Sequence, residues 1–130
     1  MSAASDYLEN KLLDHVLTAT AYSQPSTRYL ALFTASTGLE SNSPSAEISG
    51  GSYGRKAVTF AAASSGASAT NATVTFDAAT ANWGTITHVA VMDASTSGNV
   101  LFWGAVTTSK TIESGDTFQV SSGNLTISLA

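Results

Sequence analysis

From residue 28 to the end of the chain, large apolar residues come in short runs with a period of two, separated by segments rich in Gly, Ser, Asn and Asp. No stretch in this part keeps the 3.6-residue period of an amphipathic helix, so it has to build its core from strands. RYLALFT (28–34), KAVTF (56–60), TVTF (73–76), ITHVAVMD (86–93), VLFWGAVT (100–107), TFQV (117–120) and LTISL (125–129) are the predicted strands. ITHVAVMD is the most β-prone and is placed centrally. Ser97-Gly98-Asn99, Glu113-Ser114-Gly115-Asp116 and Ser122-Gly123-Asn124 supply turns, while 36–54 and 62–71 read as small-residue loops and 77–84 as an irregular link. Seven or eight short strands with close turns predict an all-β fold, an antiparallel β-sandwich of jelly-roll or Ig-like type.

The N-terminal region has a different period. Over residues 5–17, Leu8, Leu12, Leu13, Val16 and Leu17 recur at helical spacing and form one apolar stripe. Ser5 or Asp6 can cap this helix, and Asp6 with Glu9 resembles a capping box. A helix this short is marginal alone, so its stripe has to dock on its own domain, a sister subunit or another protein. The expected organisation is residues 1–27 as helix and connector and residues 28–130 as the sandwich.

Charge narrows the function. Only 11% of residues are charged, the net charge is −4, and the five basic residues form no run beyond Arg55-Lys56. That cannot supply the stripe of cations needed to neutralise phosphates, so nucleic acid and anionic membranes are not expected partners. The absence of cysteine excludes disulfides and thiolate metal sites. The N-terminus lacks the features of a signal peptide, and no apolar run is long enough to span a bilayer as a helix. A surface of Ser, Thr and Asn loses little on desolvation and suits broad protein contacts.

Reactive constellations are weak. Gly50-Gly51-Ser52-Tyr53-Gly54 matches the G-x-S-x-G string of hydrolases, but it follows a polar loop and precedes a short strand, so it reads as a turn. A triad of Ser52, His88 and Asp93 has no supporting spacing, and His15 fits the C-terminal end of the helix. The carboxylates, among them Asp77, Asp93, Glu113 and Asp116, are scattered, with no calcium-type loop. Asn71 and Asn124 open formal glycosylation sequons that mean nothing without a secretory signal. Catalytic, cofactor and metal sites are therefore expected to be absent. Tyr29, Phe33, Trp83, Phe102 and Trp103 could stack on sugars, but such residues more often fill a core or an interface. Alternation sends one of Phe102 and Trp103 inward and the other outward.

RYLALFTAS (28–36), EISGGSYGRKAVTF (47–60), NATVTFDAATANWGTITHVAVMDA (71–94) and GNVLFWGAVTTSKTIESGDTFQV (98–120) resemble a group of small tailed-phage virion proteins, often described as tail-fibre or structural proteins. The resemblance implies a β-rich, non-enzymatic virion component, and the lack of signal-peptide features leads to the expectation that it is assembled in the host cytoplasm. A single domain of this size leaves no room for both a fibre shaft and a receptor-binding tip, so the expected role is capsid decoration. As a cement protein it would bind the major capsid protein or other virion proteins as a homo-oligomer, with a trimer the common form among such proteins. A tail, collar or fibre-base component and a carbohydrate-binding module are the alternatives. Leu8, Leu12, Leu13, Val16, Phe102 and Trp103 are the candidate interface residues.

Overall fold

The structure, a computed structural model, describes residues 3–129. Among them are nine strands and one helix: β1 (Ala3–Ala4), α1 (Asp6–Leu17), β2 (Arg28–Phe33), β3 (Lys56–Val58), β4 (Ala67–Ala69), β5 (Val74–Thr75), β6 (Gly84–Met92), β7 (Val100–Ile112), β8 (Gln119–Val120) and β9 (Thr126–Ser128). Every pairing is antiparallel. A five-stranded sheet in the order β1-β7-β6-β2-β3 is accompanied by two ribbons, β4-β9 and β5-β8. The expected all-β, sandwich-like architecture with one N-terminal helix is what forms, and the run predicted to be central, β6, is the middle strand.

The apolar run in β2 shows how the core is organised. Leu30 and Leu32 enter one core with Val89, Val91, Phe76, Trp83 and Phe118. Ala31 and Phe33 enter a second core with Leu39, Ala90, Met92 and Val100. Consecutive strand residues point to opposite faces, so the sheet is buried on both sides. Residues of the ribbons and their flanks cover the first face, and the segment after β2 covers the second by inserting Leu39, whose exposure is 0%. Ser97 and Gly98 both have positive φ, 53° and 76°, giving the tight β6–β7 turn predicted from Ser97-Gly98-Asn99. A Cβ on Gly98 would lie 2.5 Å from the Asp93 carboxylate.

β7 is longer than predicted and carries two irregularities against β6. Val91 pairs with Phe102 but Met92 pairs with Val100, so Leu101 is an extra residue. Leu101 and Phe102 consequently lie side by side against the first core, as in a β-bulge. Farther along, His88 pairs with Ala105 and Ile86 with Lys110, which places residues 106–109 opposite Thr87 alone. On its outer side, among the described residues, β7 is paired with β1 at Phe102 and Trp103.

The N-terminal segment is tied into this sheet. Ser5 is fully buried and is the N-cap of α1. Its hydroxyl donates to the Val100 carbonyl and accepts from the Leu8 amide at 3.3 Å, and its own amide donates to the Leu101 carbonyl at 2.9 Å. Ser5→Ala removes both the cap and a buried hydrogen bond. It is expected to destabilise the fold by about 1–2 kcal/mol in denaturant unfolding, with native secondary structure retained.

Candidate functional site

The sequence-derived stripe on α1 divides into two halves. Leu8 is 3% exposed and belongs to the main core, and Leu12 is half-buried against it. Beyond them Leu13, Val16 and Leu17 are 57%, 73% and 73% exposed. They follow i, i+3, i+4 spacing and therefore share one face. The helix spans about 18 Å at 1.5 Å per residue, and its C-terminal half leaves the body of the domain as an apolar peg.

Hydrogen bonds close the peg's free end. The Thr18 amide and hydroxyl donate to the Asp14 carbonyl at 3.0 and 2.7 Å, and the Thr20 amide donates to the Thr18 hydroxyl at 3.2 Å. His15, on the last turn, accepts the Tyr22 amide on Nδ1 at 3.1 Å. These contacts satisfy backbone groups that a helix end otherwise leaves to water. They keep the last turn helical, which holds the three aliphatic side chains together.

Phe102 and Trp103 are both half-buried and lie on opposite faces of the sheet. Phe102 packs against the first core and Trp103 against the second, its ring 6.2 Å from that of His88. Trp103 Nε1 is, among the described residues, a buried donor with no hydrogen-bond partner. Trp83 and Phe33 are buried and Tyr29 is half-buried. No aromatic side chain among the described residues is fully exposed. Among the described residues the exposed large hydrophobics are Leu13, Val16, Leu17 and Leu129.

Ser52 lies in a turn with Gly50 and Gly51, and all three have positive φ (75°, 58° and 66° in chain order). Its hydroxyl pairs with that of Thr80 at 3.0 Å. The glycines serve a close approach: Trp83 Nε1 donates to the Gly51 carbonyl at 2.9 Å, and a Cβ on Gly51 would meet the same nitrogen at 2.9 Å. His88 Nδ1 faces the Thr87 hydroxyl at 2.8 Å, and Asp93 accepts from the Asn99 amide and side chain. Ser52, His88 and Asp93 thus have separate partners.

Two polar clusters have no signature in the sequence. Asp6 and Glu9 meet Glu40 at the start of α1, with carboxylate oxygens all within 4.8 Å of one another. All three are exposed. Partial desolvation and the charges of Asp6 and Glu9 raise the Glu40 pKa above its ordinary value. The other cluster is built on Arg55, whose guanidinium donates to both Glu47 carboxylate oxygens at 2.8 Å and to the carbonyls of Ala94 and Ser97 at 2.9 and 2.7 Å. The Tyr53 hydroxyl donates to Glu47 at 2.7 Å and accepts from the Leu32 amide at 3.1 Å. This network clamps the 47–55 segment to β2 and to the β6–β7 turn. It is an architectural element without an open face for a ligand.

The ribbons leave grooves over the first sheet face. One, of about 310 Å³, is lined mainly by apolar side chains from the ends of β4, β7 and β9, with Leu129 among them. Another, of about 300 Å³, lies between β6–β7 and the β8–β9 segment. Neither contains a cluster of ionisable groups.

The family model described as podophage GP4 fiber I protein gp80 matches residues 3–128. The chain belongs to this family. The match includes α1 as well as the strands, so the peg lies inside the family's extent and is not an appended tail. Membership in the fiber I family makes the chain a structural protein of the phage virion, as the resemblance implied. A search of the curated proteins finds no match.

Proposed function

We propose that this chain is a non-enzymatic building block of the phage fibre apparatus, held in the particle by the Leu13–Val16–Leu17 end of α1. The observation that carries this reading is the exposure of three large aliphatic side chains on a helical turn whose polar ends are hydrogen-bonded. Fully burying one such side chain contributes roughly 1.5–3 kcal/mol, so a partner covering the peg gains substantially without any chemistry. Exposed apolar clusters of this kind mark interaction sites.

The description of the matched family supports the fibre setting. Capsid decoration through the major capsid protein has the chain's size as its support, and antibody labelling of purified particles separates head from fibre. The carbohydrate-binding alternative is disfavoured because the described residues offer no exposed aromatic platform.

Val16→Asp tests the attachment. The side chain is 73% exposed, so the variant is expected to fold with wild-type thermal stability. A carboxylate buried in the contact is costly unless paired, so incorporation into particles is expected to fall at least about tenfold. Undiminished incorporation of Val16→Asp would remove the peg from the proposal.

A further inference from the structure

We propose that this chain takes an extended segment of another virion protein into the seam between β7 and β8–β9, where the segment is added as a strand. The site is separate from α1 and goes beyond the attachment proposed above.

The ladders run almost all the way round the first core. β7 pairs with β6, β6 with β2, and β2 with β3. Beyond β3, Phe60 bridges Thr70, the Ala61 amide donates to the Ala69 carbonyl at 2.9 Å, and the Asn71 amide donates to the Thr59 carbonyl at 3.2 Å. β4 then pairs with β9 and β5 with β8. Among the described residues no ladder joins β8 or β9 to β7, the one pairing that would close the circuit. Two cavities of about 300 and 370 Å³ lie along this seam, each lined by residues of β7 and by residues between Thr117 and Ile127. They share Val106, Thr107, Phe118, Val120 and Asn124, so they form one trench.

The backbone along the trench specifies its occupant. The Thr70 amide donates to the Leu125 carbonyl and the Leu129 amide to the Gly66 carbonyl, both at 2.9 Å, so alternate residues of β9 bond to β4. Antiparallel alternation turns the amide and carbonyl of Thr126 the other way, and the bond from the Phe76 amide to the Phe118 carbonyl does the same for Gln119. Main-chain groups left at a strand edge are matched by another strand. Residues 106–109 stand opposite Thr87 alone, so β7 offers no regular ladder there and the guest pairs along β8–β9. Val106, Val120, Leu125 and Ile127 are half-buried along the trench, and Lys110 is the sole charged residue lining it. Every second side chain of the guest, those facing inward, is therefore apolar. About five or six residues make a strand of ordinary length. A second copy has no such strand to give, because each alternating apolar run of this chain is already in a ladder.

Hydrogen exchange of the wild-type chain, free and within purified particles, tests this. The Thr126 and Gln119 amides are expected to exchange at least about tenfold more slowly in the particle, as an added ladder bond requires. Thr126→Pro deletes one of these donors at an edge position where proline is tolerated. It is expected to keep the wild-type melting temperature and to enter particles at least about tenfold less. Gln119→Pro replaces it if it misfolds. A benzophenone side chain in place of the exposed Thr126 is expected to crosslink, in particles, to an alternating apolar segment of a different virion protein. Unchanged exchange at both amides, or crosslinks to further copies of this chain alone, overturns the inference. If Val16→Asp blocks incorporation while the seam amides stay unprotected in wild-type particles, the attachment reading stands and this one fails.

Discussion

Arg55→Ala is expected to lower the unfolding free energy by about 2–4 kcal/mol, toward the usual cost of removing one member of a buried ion pair but reduced by the water Glu47 still meets. The Arg55 side chain is 6% exposed and that of Glu47 25%. Alanine leaves Glu47 without its bidentate partner and strips the Ala94 and Ser97 carbonyls of their donor, so the clamp on the β6–β7 turn is lost. For a domain of this length the melting temperature should fall by roughly 10–20 °C. Lysine cannot restore it, because an ammonium does not span a carboxylate and two carbonyls as the planar guanidinium does. Thermal and guanidinium melts of both variants measure this. A loss below about 1 kcal/mol for Arg55→Ala would show that the network contributes no more than a surface pair.

The same network predicts a pH dependence. Burial pushes the Glu47 pKa up, but the hydrogen bonds from Arg55 and Tyr53 and the guanidinium's charge outweigh it, so the carboxyl lies below its ordinary value. Folding therefore favours the ionised form. This contribution is present above the ordinary carboxyl range and is lost as the pH falls through the lowered folded value. Glu47→Gln should flatten that part of the acid limb of a stability-versus-pH curve.

Phe76→Ala is expected to destabilise by about 3–5 kcal/mol, since an aromatic side chain that is 1% exposed leaves a cavity the surroundings fill only in part. Phe76 stacks on Tyr53 at 6.1 Å and meets Phe118 edge-on at 5.8 Å, which makes it the join between the main sheet and the β5–β8 ribbon. Tyr53 belongs to the Arg55 network as well, so the double variant should deviate from additivity, as contacting residues do. A Phe76→Ala loss under about 1.5 kcal/mol would mean that the ribbon is held elsewhere.

Strands with strong alternation were legible from the chain itself. RYLALF, ITHVAVM and VLFW place large side chains at a period of two, and they form β2, β6 and the start of β7. β1 and β4 carry no such signal: Ala-Ala and Ala-Ser-Ala are strands because of what they pair with, Phe102–Trp103 and β9 respectively. Residues 36–54 read as a polar loop, yet Leu39 and Ile48 within it are buried. A single leucine among serines and glycines gives no period to detect, and only the bare second face of the sheet explains its place. The α1 stripe was readable as a stripe, but the division between Leu8 and Leu13 depends on where the sheet ends. The Arg55–Glu47 pair was invisible because its members are eight residues apart in a segment of no regular structure.

The length of β7 carries a further consequence. Among the described residues β1 pairs with two positions of its outer margin, and a strand edge that lacks a partner is a template for any passing extended chain. Such a margin risks runaway templating into amyloid-like stacks. The surplus residues opposite Thr87 and the cation of Lys110 interrupt that template. An edge interrupted in this way resists backbone-to-backbone stacking.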